Sequence, residues 1–444
     1  MARLLPFKGI LYNLEKVPDL KGVITPPHDI ISAMEQEAYY KAHPQNMIRL
    51  ILGKVYRDDT EQDNRYTRAA KSFQSWLDEG ILSQDKDPAF YVTEMDYRID
   101  GEVRTRLGFI ALVELAEFEK GIIRPHEETF SATNTDRLRL IEASRANFSP
   151  IFSLFSDHGN EVLASLRAGI KSLRPDLDFE DLKGYRHRLW RLKDPKIHKE
   201  IGHRLADRSI YIADGHHRYW TALQYRNQVR SKRSLSGPDD PCNFVMMYLT
   251  SIQDPGLALR PVHRVVCRAD KTDMEGFFRR AGAYFDVETL RFDSMDRKVM
   301  DEAALSEVMT SANGTVIGAA LRDDRSFYLL RVKKGITDHL LDKGIPEPLR
   351  KLDVTLVTKV VLEKILSLDS SALDDERSIR YVSTIGEALD AVRVGKCPIA
   401  LILRPTRLDQ LQEVSDAGLI MPRKSTYFYP KVMDGLVINR IGDD

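Results

Sequence analysis

The organisation of the chain is clearest in one stretch, Ser209-Ile210-Tyr211-Ile212-Ala213-Asp214-Gly215-His216-His217-Arg218. A short apolar run ends here, the dipeptide Asp214-Gly215 breaks the pattern, and apolar residues return at helical spacing from Tyr219 onward. The spacing predicts a strand over 205–213 and a helix over 216–229. A strand that runs directly into a helix is typical of α/β proteins, whose ligands bind beyond the ends of the strands.

This junction also has the chemistry of an anion site. The first N–H groups of a helix have no helical partners and lie at the positive end of the helix dipole. Gly215 would let a phosphate approach the backbone, and Arg218 would donate to it through a forked guanidinium. The imidazoles of His216 and His217 could transfer protons near neutral pH, and Asp214 could orient one of them or hold a metal ion. The alternative is that Asp214 only caps the helix and both histidines are surface residues.

Helices and strands also alternate away from this junction. A helix is predicted over 61–79, and a hairpin is predicted over 89–115 because Asp100-Gly101 suits a type I′ turn. Further helices are predicted over 135–147 and 353–365, and further strands over 150–155, 243–250, 314–321, 326–332 and 399–403. We place a domain boundary near residue 265. The chain would then contain one domain over 1–265 and a smaller α/β domain over 266–444, whose segment 422–431 could return to the site.

Composition excludes several classes of protein. The chain has 444 residues, of which 43% are hydrophobic, and this is enough for two globular domains. Lys plus Arg and Asp plus Glu both total 66, and the zero net charge argues against a nucleic-acid partner. No apolar run is long enough to span a membrane. The cysteines Cys242, Cys267 and Cys397 form no Cys-x-x-Cys pair and fit a reducing compartment. We therefore expect a cytoplasmic protein, and a homodimer is compatible with the sequence.

A second polar cluster supplies candidates for substrate binding and proton transfer. Segment 124–129 contains His126, a candidate substrate-binding residue, and Glu127, a candidate general base or acid. On the helix predicted over 135–147, Arg137 and Arg145 would lie within about 80° of each other around the axis, so both could face one anion. The alternative for the two arginines is a solvated helix face.

Two segments near the ends of the chain add further candidates. In Thr25-Pro26-Pro27-His28-Asp29 the prolines restrict the direction of Asp29, a candidate base or metal ligand that would equally well cap a helix starting at Ile30. Near the other end, Lys424, Ser425 and Thr426 lie in a basic, hydroxyl-rich and aromatic segment. This segment could close over an anionic substrate, and a strand packed on the second domain explains it equally well.

Several of these motifs together resemble one family. They occur in the order Pro6-Phe7-Lys8-Gly9-Ile10, Pro26-Pro27-His28-Asp29-Ile30-Ile31-Ser32, Pro125-His126-Glu127, Asp136-Arg137 with Ala146–Phe152, Ile212–Arg218, and Lys424-Ser425-Thr426 with Pro430-Lys431. The set resembles the prokaryotic family called domain of unknown function 1015 (DUF1015) and covers nearly the whole chain. The family usually has a tyrosine where this chain has His28.

A more distant resemblance bears on chemistry. Asp214-Gly215-His216-His217-Arg218 resembles the signature of the ParB and sulfiredoxin superfamily, which includes free-serine kinases that use ADP or ATP. The resemblance implies a ParB/sulfiredoxin-like N-terminal domain of mixed α/β (α+β) type, in which this loop and the following helix hold nucleotide phosphates. It also implies phosphoserine as a product. Sulfiredoxin has its reactive cysteine where His216 stands, so sulfiredoxin chemistry is not expected.

Three functional hypotheses follow. The first is a free-serine-kinase-like phosphotransferase that moves phosphate from ATP or ADP to a small hydroxyl substrate such as L-serine, with Mg²⁺ bridging phosphate oxygens. Asp29 or Glu127 would accept the hydroxyl proton, and Arg137 or Arg145 would bind the substrate carboxylate. The second is a non-catalytic, nucleotide-binding regulatory module of ParB type. The third is a metal-dependent hydrolase, whose ligands would be His126, Glu127, His216 and His217.

Overall fold

The computed structural model of the protein describes residues 1–128, 131–232, 235–268, 276–290, 300–322, 324, 326–336, 344–375, 377–395 and 397–442. Two compact units divide the chain. The first unit consists of Met1–Ala258 and Pro430–Asp444, and the second of Leu259–Tyr429. The predicted boundary lies at 265, whereas the structure separates the units after Ala258 and assigns the last segment of the chain to the first unit.

The first unit contains a mixed main sheet and two separate pairs of short strands among its described residues. Its strands are β1 (Leu4–Leu5), β2 (Ile10–Tyr12), β3 (Leu82–Gln84), β4 (Phe90–Ile99), β5 (Glu102–Glu114), β6 (Ile123–Arg124), β7 (Ala146–Asn147), β8 (Ile151–Phe155), β9 (Leu177–Glu180), β10 (Arg186–Leu192), β11 (Ile210–Asp214) and β12 (Phe244–Ser251). The main sheet has the order β6-β11-β8-β12-β5-β4-β10-β9, with β1 added on β5. Strand β11 runs parallel to β6 and antiparallel to β8. A mixed α/β fold, as predicted, is confirmed.

The first unit also contains helices. They are α1 (Ala33–Ala42), α2 (Ile48–Ile51), α3 (Arg65–Asp78), α4 (Ser131–Ser144), α5 (Glu161–Ile170), α6 (Pro195–Ala206) and α7 (His216–Lys232), and short 3-10 helices cover Leu20–Gly22, His28–Ile30, Phe118–Lys120 and Pro241–Asn243. Leu166 of α5, Leu205 of α6 and Leu223 of α7 belong to one core with Phe109 and Phe155 of the sheet. The buried sheet and α7 hold the β11–α7 junction in place from both sides.

The second unit contains an antiparallel sheet of its own. The strands from this part of the chain are β13 (Ala258–Arg260), which begins at the last residue before the boundary, β14 (His263–Val266), β15 (Phe285–Leu290), β16 (Val316–Leu321), β17 (Phe327–Val332), β18 (Ile379–Val382), β19 (Ile399–Ile402) and β20 (Tyr427–Tyr429). The sheet order is β15-β17-β16-β19-β14-β18. Its helices are α8 (Phe277–Ala281), α9 (Met300–Ser311), α10 (Glu347–Arg350), α11 (Asp353–Leu356, continued as a π-helix over Val357–Ile365), α12 (Ser370–Asp374), α13 (Ile385–Arg393) and α14 (Leu408–Asp416). Strand β21 (Asn439–Arg440) then pairs with β7 in the first unit.

A disulfide in the second unit differs from the expectation of a reducing environment. Cys267 and Cys397 are 130 residues apart in sequence and are bonded to each other. They follow and precede the paired strands β14 and β19, whose residues Val266 and Ile399 lie opposite each other. Cys242 is buried and takes no part in a disulfide. Spacing along the chain could not predict this pair, because the sheet brings the two residues together.

No helix among the described residues combines the length and the apolar character that crossing a bilayer requires.

Candidate functional site

The corner between β11 and α7 depends on Gly215. The glycine has φ +94°, and a Cβ atom there would lie 2.8 Å from Nε and 2.9 Å from Cζ of Arg218. The guanidinium therefore folds back over the corner into space that a side chain would occupy. Tyr219 N–H donates to Gly215 O at 3.0 Å, so the helix begins directly after the glycine. A phosphate at this corner would meet Arg218 rather than bare backbone.

Asp214 holds two cations at the start of α7. Its Oδ2 accepts from Arg218 Nη2 at 2.6 Å, and its Oδ1 accepts from Lys431 Nζ. The three side chains are only 9–13% exposed. Arg218 also donates from Nη1 to Pro150 O, so two of its five N–H donors are used. Two positive charges and one negative charge leave an excess of +1 beside the positive end of the helix dipole.

The ionisation of Asp214 is determined by these partners. Burial would raise the pKa of Asp214, but the charges of Lys431 and Arg218 outweigh burial and hold the pKa well below its usual range. The residue is therefore a carboxylate at any physiological pH. Because each of its oxygens accepts from a cation, Asp214 does not fit the predicted role of Mg²⁺ ligand. Within the described part of the chain, no group of three His, Cys, Asp or Glu side chains could hold a metal ion.

Two buried histidines lie behind this corner. The rings of His126 and His216 meet edge to face with centroids 4.7 Å apart, and the backbone N–H of His126 donates to His216 Nε2 at 3.2 Å. Burial lowers the pKa of His126 to about 4 and that of His216 well below its usual value. Both imidazoles are therefore neutral near pH 7. His216 Nδ1 lies 3.7 Å from Glu127 Oε2, whereas His217, the next residue of α7, is partly exposed.

Arg137 and Asp136 form a second charged group. Arg137 is 8% exposed, and its Nε donates to Asp136 Oδ2 at 2.7 Å while Nη1 donates to Ile51 O at 2.8 Å. Asp136 also accepts from the hydroxyl of Tyr66 at 2.6 Å and from Arg65. Three of the five Arg137 donors are thus used within the protein. Arg137 is held in place as a buried cation rather than as a free arm.

The loop before α1 meets the end of the chain near these cations. Thr25 and Asp434 form an antiparallel bridge, with Asp434 N–H donating to Thr25 O at 2.8 Å. Burial, followed by the charges of Arg137 and Arg218, lowers the pKa of His28 well below its usual value. The pKa of Asp434 also responds to Arg218, Arg137 and Asp29. His28 and Asp434 therefore lie within electrostatic range of both arginines, and Asp29 lies within electrostatic range of Asp434.

Four further residues are predicted to belong to the site, one on the helix before β7 and three in the second unit. The predicted helix over 135–147 ends at Ser144, because Arg145 takes a left-handed backbone with φ +48°. Arg145 is exposed, so the prediction that it shares a helix face with Arg137 is wrong. Lys424, Ser425 and Thr426 belong to the second unit. There Ser425 and Thr426 are buried, and the carbonyls of Lys424 and Ser425 accept from Arg264 and Thr406. Their predicted role in substrate binding stays a prediction.

Two residues of this cluster are not identified by the sequence analysis. Lys431 is the last residue of the basic segment 422–431, but no local signal pairs it with Asp214. Asp434 precedes Gly435 in a dipeptide that indicates only a turn. Lys431 reaches Asp214 from 217 residues away, and Asp434 pairs with Thr25 near the start of the chain; sequence spacing reveals neither contact.

Comparison with known families and structures gives the following matches. The model of the family described as "Protein of unknown function (DUF1015)" matches residues 4–355. No curated protein matches the chain.

Similar solved structures have low sequence identity. A conserved hypothetical protein from Pyrococcus furiosus is 12% identical, with a TM-score of 0.32 over 70% of this chain and 90% of that chain. A free serine kinase in complex with AMP is 10% identical, with a TM-score of 0.31 over 69% and 83%. SbnI with a C-terminal truncation from Staphylococcus aureus is 12% identical, with a TM-score of 0.35 over 73% and 85%.

Proposed function

The chain belongs to the DUF1015 family of proteins of unknown function, and we propose that this member is a phosphotransferase that moves phosphate from ATP or ADP to a small hydroxyl substrate. L-serine is the acceptor that we test first. That choice comes from the resemblance of Asp214-Gly215-His216-His217-Arg218 to the signature of free-serine kinases.

One observation carries the proposal. Asp214 binds Arg218 and Lys431 together at the N-terminal end of α7, where the excess positive charge adds to the helix dipole. The surroundings are largely buried, so these charges act on a bound anion with little screening by water. A site of this kind favours a phosphate group.

The chemistry requires little covalent participation by the protein. Phosphate transfer depends on positioning the reactants and on neutralising the charge of the transferring group. Arg218 and Lys431 supply fixed positive charge, and Asp214 keeps the two cations together. The buried histidines His126 and His216 are neutral, so they add no competing charge at neutral pH. Any Mg²⁺ would arrive with the nucleotide, and no step here depends on it.

The direct test is product formation. Purified full-length protein is incubated with Mg²⁺, L-serine and, separately, ATP, ADP or pyrophosphate, and phosphoserine is measured by mass spectrometry. We expect phosphoserine with at least one nucleotide donor. Absence of product with every donor would remove the proposal for L-serine, and a panel of other small alcohols extends the same test to the acceptor class.

A matched pair of variants links activity to the corner. Lys431→Gln removes one of the two cations, and Lys171→Gln removes an exposed lysine of the same unit as a control. We expect Lys431→Gln to weaken nucleotide binding about 10-fold or more, as loss of a charge-assisted contact does, and Lys171→Gln to leave binding unchanged. Equal affinities for the two variants would count against the corner as the phosphate site.

The same experiments separate the alternative function. If nucleotide raises the melting temperature but no donor and acceptor pair gives product, the chain is a nucleotide-responsive binding module instead.

A further inference from the structure

We propose that Asp434 accepts the proton of the acceptor hydroxyl, in a buried subsite formed where the end of the chain pairs with the loop over 25–28. This inference rests on the proposed phosphotransferase function and assigns a catalytic residue that the sequence analysis does not identify. Sequence analysis assigns the role to Asp29 or Glu127.

The first observation is a group of polar atoms that lack hydrogen-bond partners. Asp434 and Thr25 are both fully buried, and neither Asp434 Oδ1 nor Thr25 Oγ1 has a partner among the described residues. Nδ1 of His28, three residues after Thr25, is also buried and has no hydrogen-bond partner in the part of the chain that the structure describes. A buried polar group without a partner destabilises the fold unless something binds to it. Three of them on two paired segments indicate a place for a polar ligand.

The second observation is how Asp434 is held. Ser149 Oγ donates to Asp434 Oδ2 at 2.7 Å. The backbone N–H and C=O of Asp434 are both hydrogen-bonded to Thr25, so the main chain of Asp434 is fixed as well. One carboxylate oxygen is thus anchored while the other is available. Asp29, by contrast, is exposed to solvent. A fixed carboxyl with one available oxygen has the geometry that a general base needs.

The third observation concerns protonation. Burial raises the pKa of Asp434, whereas Arg218, Ser149 and Arg137 act in the opposite direction, and the charge of Asp29 adds to the rise, so the pKa lies at about 7. A base is most effective when its pKa is near the working pH. Burial and the neighbouring charges therefore place Asp434 in the range in which a carboxyl can both take up and release a proton.

Transfer of the terminal phosphate to the acceptor hydroxyl forms one P–O bond and breaks another. The acceptor oxygen attacks the terminal phosphorus of the nucleotide and forms the new P–O bond. The bond from that phosphorus to the bridging oxygen breaks, and the departing nucleotide keeps the electron pair. The hydroxyl proton passes to Asp434 Oδ1 and is later released to water.

The test compares Asp434→Asn with Asp29→Asn, which makes the same change in charge in the neighbouring loop. We expect Asp434→Asn to lower kcat for phosphate transfer 10²- to 10⁴-fold, with nucleotide affinity changed less than 3-fold. Wild-type kcat should fall on the acid side of about pH 7, and Asp434→Asn should lose that limb. Asp29→Asn should keep the limb but move it to lower pH, because the charge of Asp29 raises the pKa of Asp434.

A second variant keeps the test informative if Asp434→Asn folds poorly. Ser149→Ala removes a donor that favours the ionised carboxyl, so we expect the acid limb to move to higher pH with activity retained. Wild-type activity with an unimpaired Asp434→Asn variant, or with a limb that Ser149→Ala does not move, overturns this inference and leaves the proposed function standing. Absence of product from the wild type with every donor and acceptor overturns both.

Discussion

Replacing Gly215 by alanine should lower the free energy of unfolding for two reasons that can be measured separately: the positive φ angle and the crowding by Arg218. Gly184 also has a positive φ, +75°, but a Cβ atom there would meet nothing within 4 Å. We expect Gly184→Ala to cost about 1 kcal/mol from backbone strain alone. Gly215→Ala should cost about 1–3 kcal/mol more, because Arg218 must move. Denaturant unfolding gives the free energy of unfolding of both variants. Equal losses of stability would contradict the close packing of Arg218 on the corner.

Asp434 gives the stability of the first unit a definite pH dependence. Its folded pKa of about 7 lies above the unfolded value of 3.8, so between these values the folded chain retains a proton that the unfolded chain has lost. Stability therefore falls as pH rises from about 4 to 7, by about 1.4 kcal/mol per pH unit at most. The side chain of the Asp434→Asn variant cannot ionise, so this variant does not lose stability in that pH range.

The measurement is a pair of melting curves at each pH. We expect Asp434→Asn to match the wild type near pH 4 and to exceed its stability by roughly 2–4 kcal/mol at pH 8. Asp58→Asn, at an exposed position, serves as control and should show no such trend. A constant difference between Asp434→Asn and the wild type across this range would mean that Asp434 is ionised throughout.

The sequence identifies the local half of the site residue by residue, whereas for the distant half it indicates only that segment 422–431 could return to the site. Asp214, Gly215 and Arg218 lie in one short motif, and their junction of strand and helix is confirmed. Lys431 lies 217 residues away from Asp214, and only the folded chain shows that they pair. The predicted bidentate use of Arg218 also changes, because its terminal nitrogens already bind Asp214 and Pro150 O.

Among the elements, the segment from Pro430 to Ile441 has a large effect for its length. Arg106 Nη1 donates to Pro430 O at 2.5 Å, and Ile10 and Ile438 exchange backbone hydrogen bonds. Its buried apolar side chains are Val432, Leu436, Val437, Ile438 and Ile441. Burial of each contributes about 1.5–3 kcal/mol, so together they are comparable with the total stability of a typical domain.

Truncation after Tyr429 should therefore unfold the first unit. We expect the truncated chain to lose the cooperative melting transition of the first unit and all nucleotide binding, while a chain that ends at Ile441 keeps both. Calorimetry with limited proteolysis measures the two transitions. A first-unit transition that is unchanged in the shorter chain would contradict the structural role of this segment.

Prediction of elements succeeds where signals are local. The hairpin turns at Asp100-Gly101, with φ values of +51° and +82°, and Ile99 pairs with Glu102 as the turn type requires. The predicted strand over 205–213 is partly wrong, because Leu205 lies in α6 and the strand begins at Ile210. Buried Leu205 packs on the core from a helix, and an apolar run alone does not distinguish the two structures.

At the scale of the whole molecule, the disulfide belongs to one unit and gives a selective prediction. The bond between Cys267 and Cys397 closes a long loop within the second unit, which stabilises a fold by about 2–4 kcal/mol. Reductant should lower the melting transition of the second unit by on the order of 10 °C and leave that of the first unit in place. In the double variant Cys267→Ser with Cys397→Ser, the second unit should melt at the same temperature as in the reduced wild type, and reductant should not change that temperature. Equal responses of both units to reductant would contradict this assignment.

The most direct test of the central claim is a crystal structure of the full chain with ADP. We expect a phosphate group of ADP within hydrogen-bonding distance of Arg218 or Lys431, at the N-terminal end of α7. Nucleotide bound in another part of the molecule, with this corner empty, would contradict it.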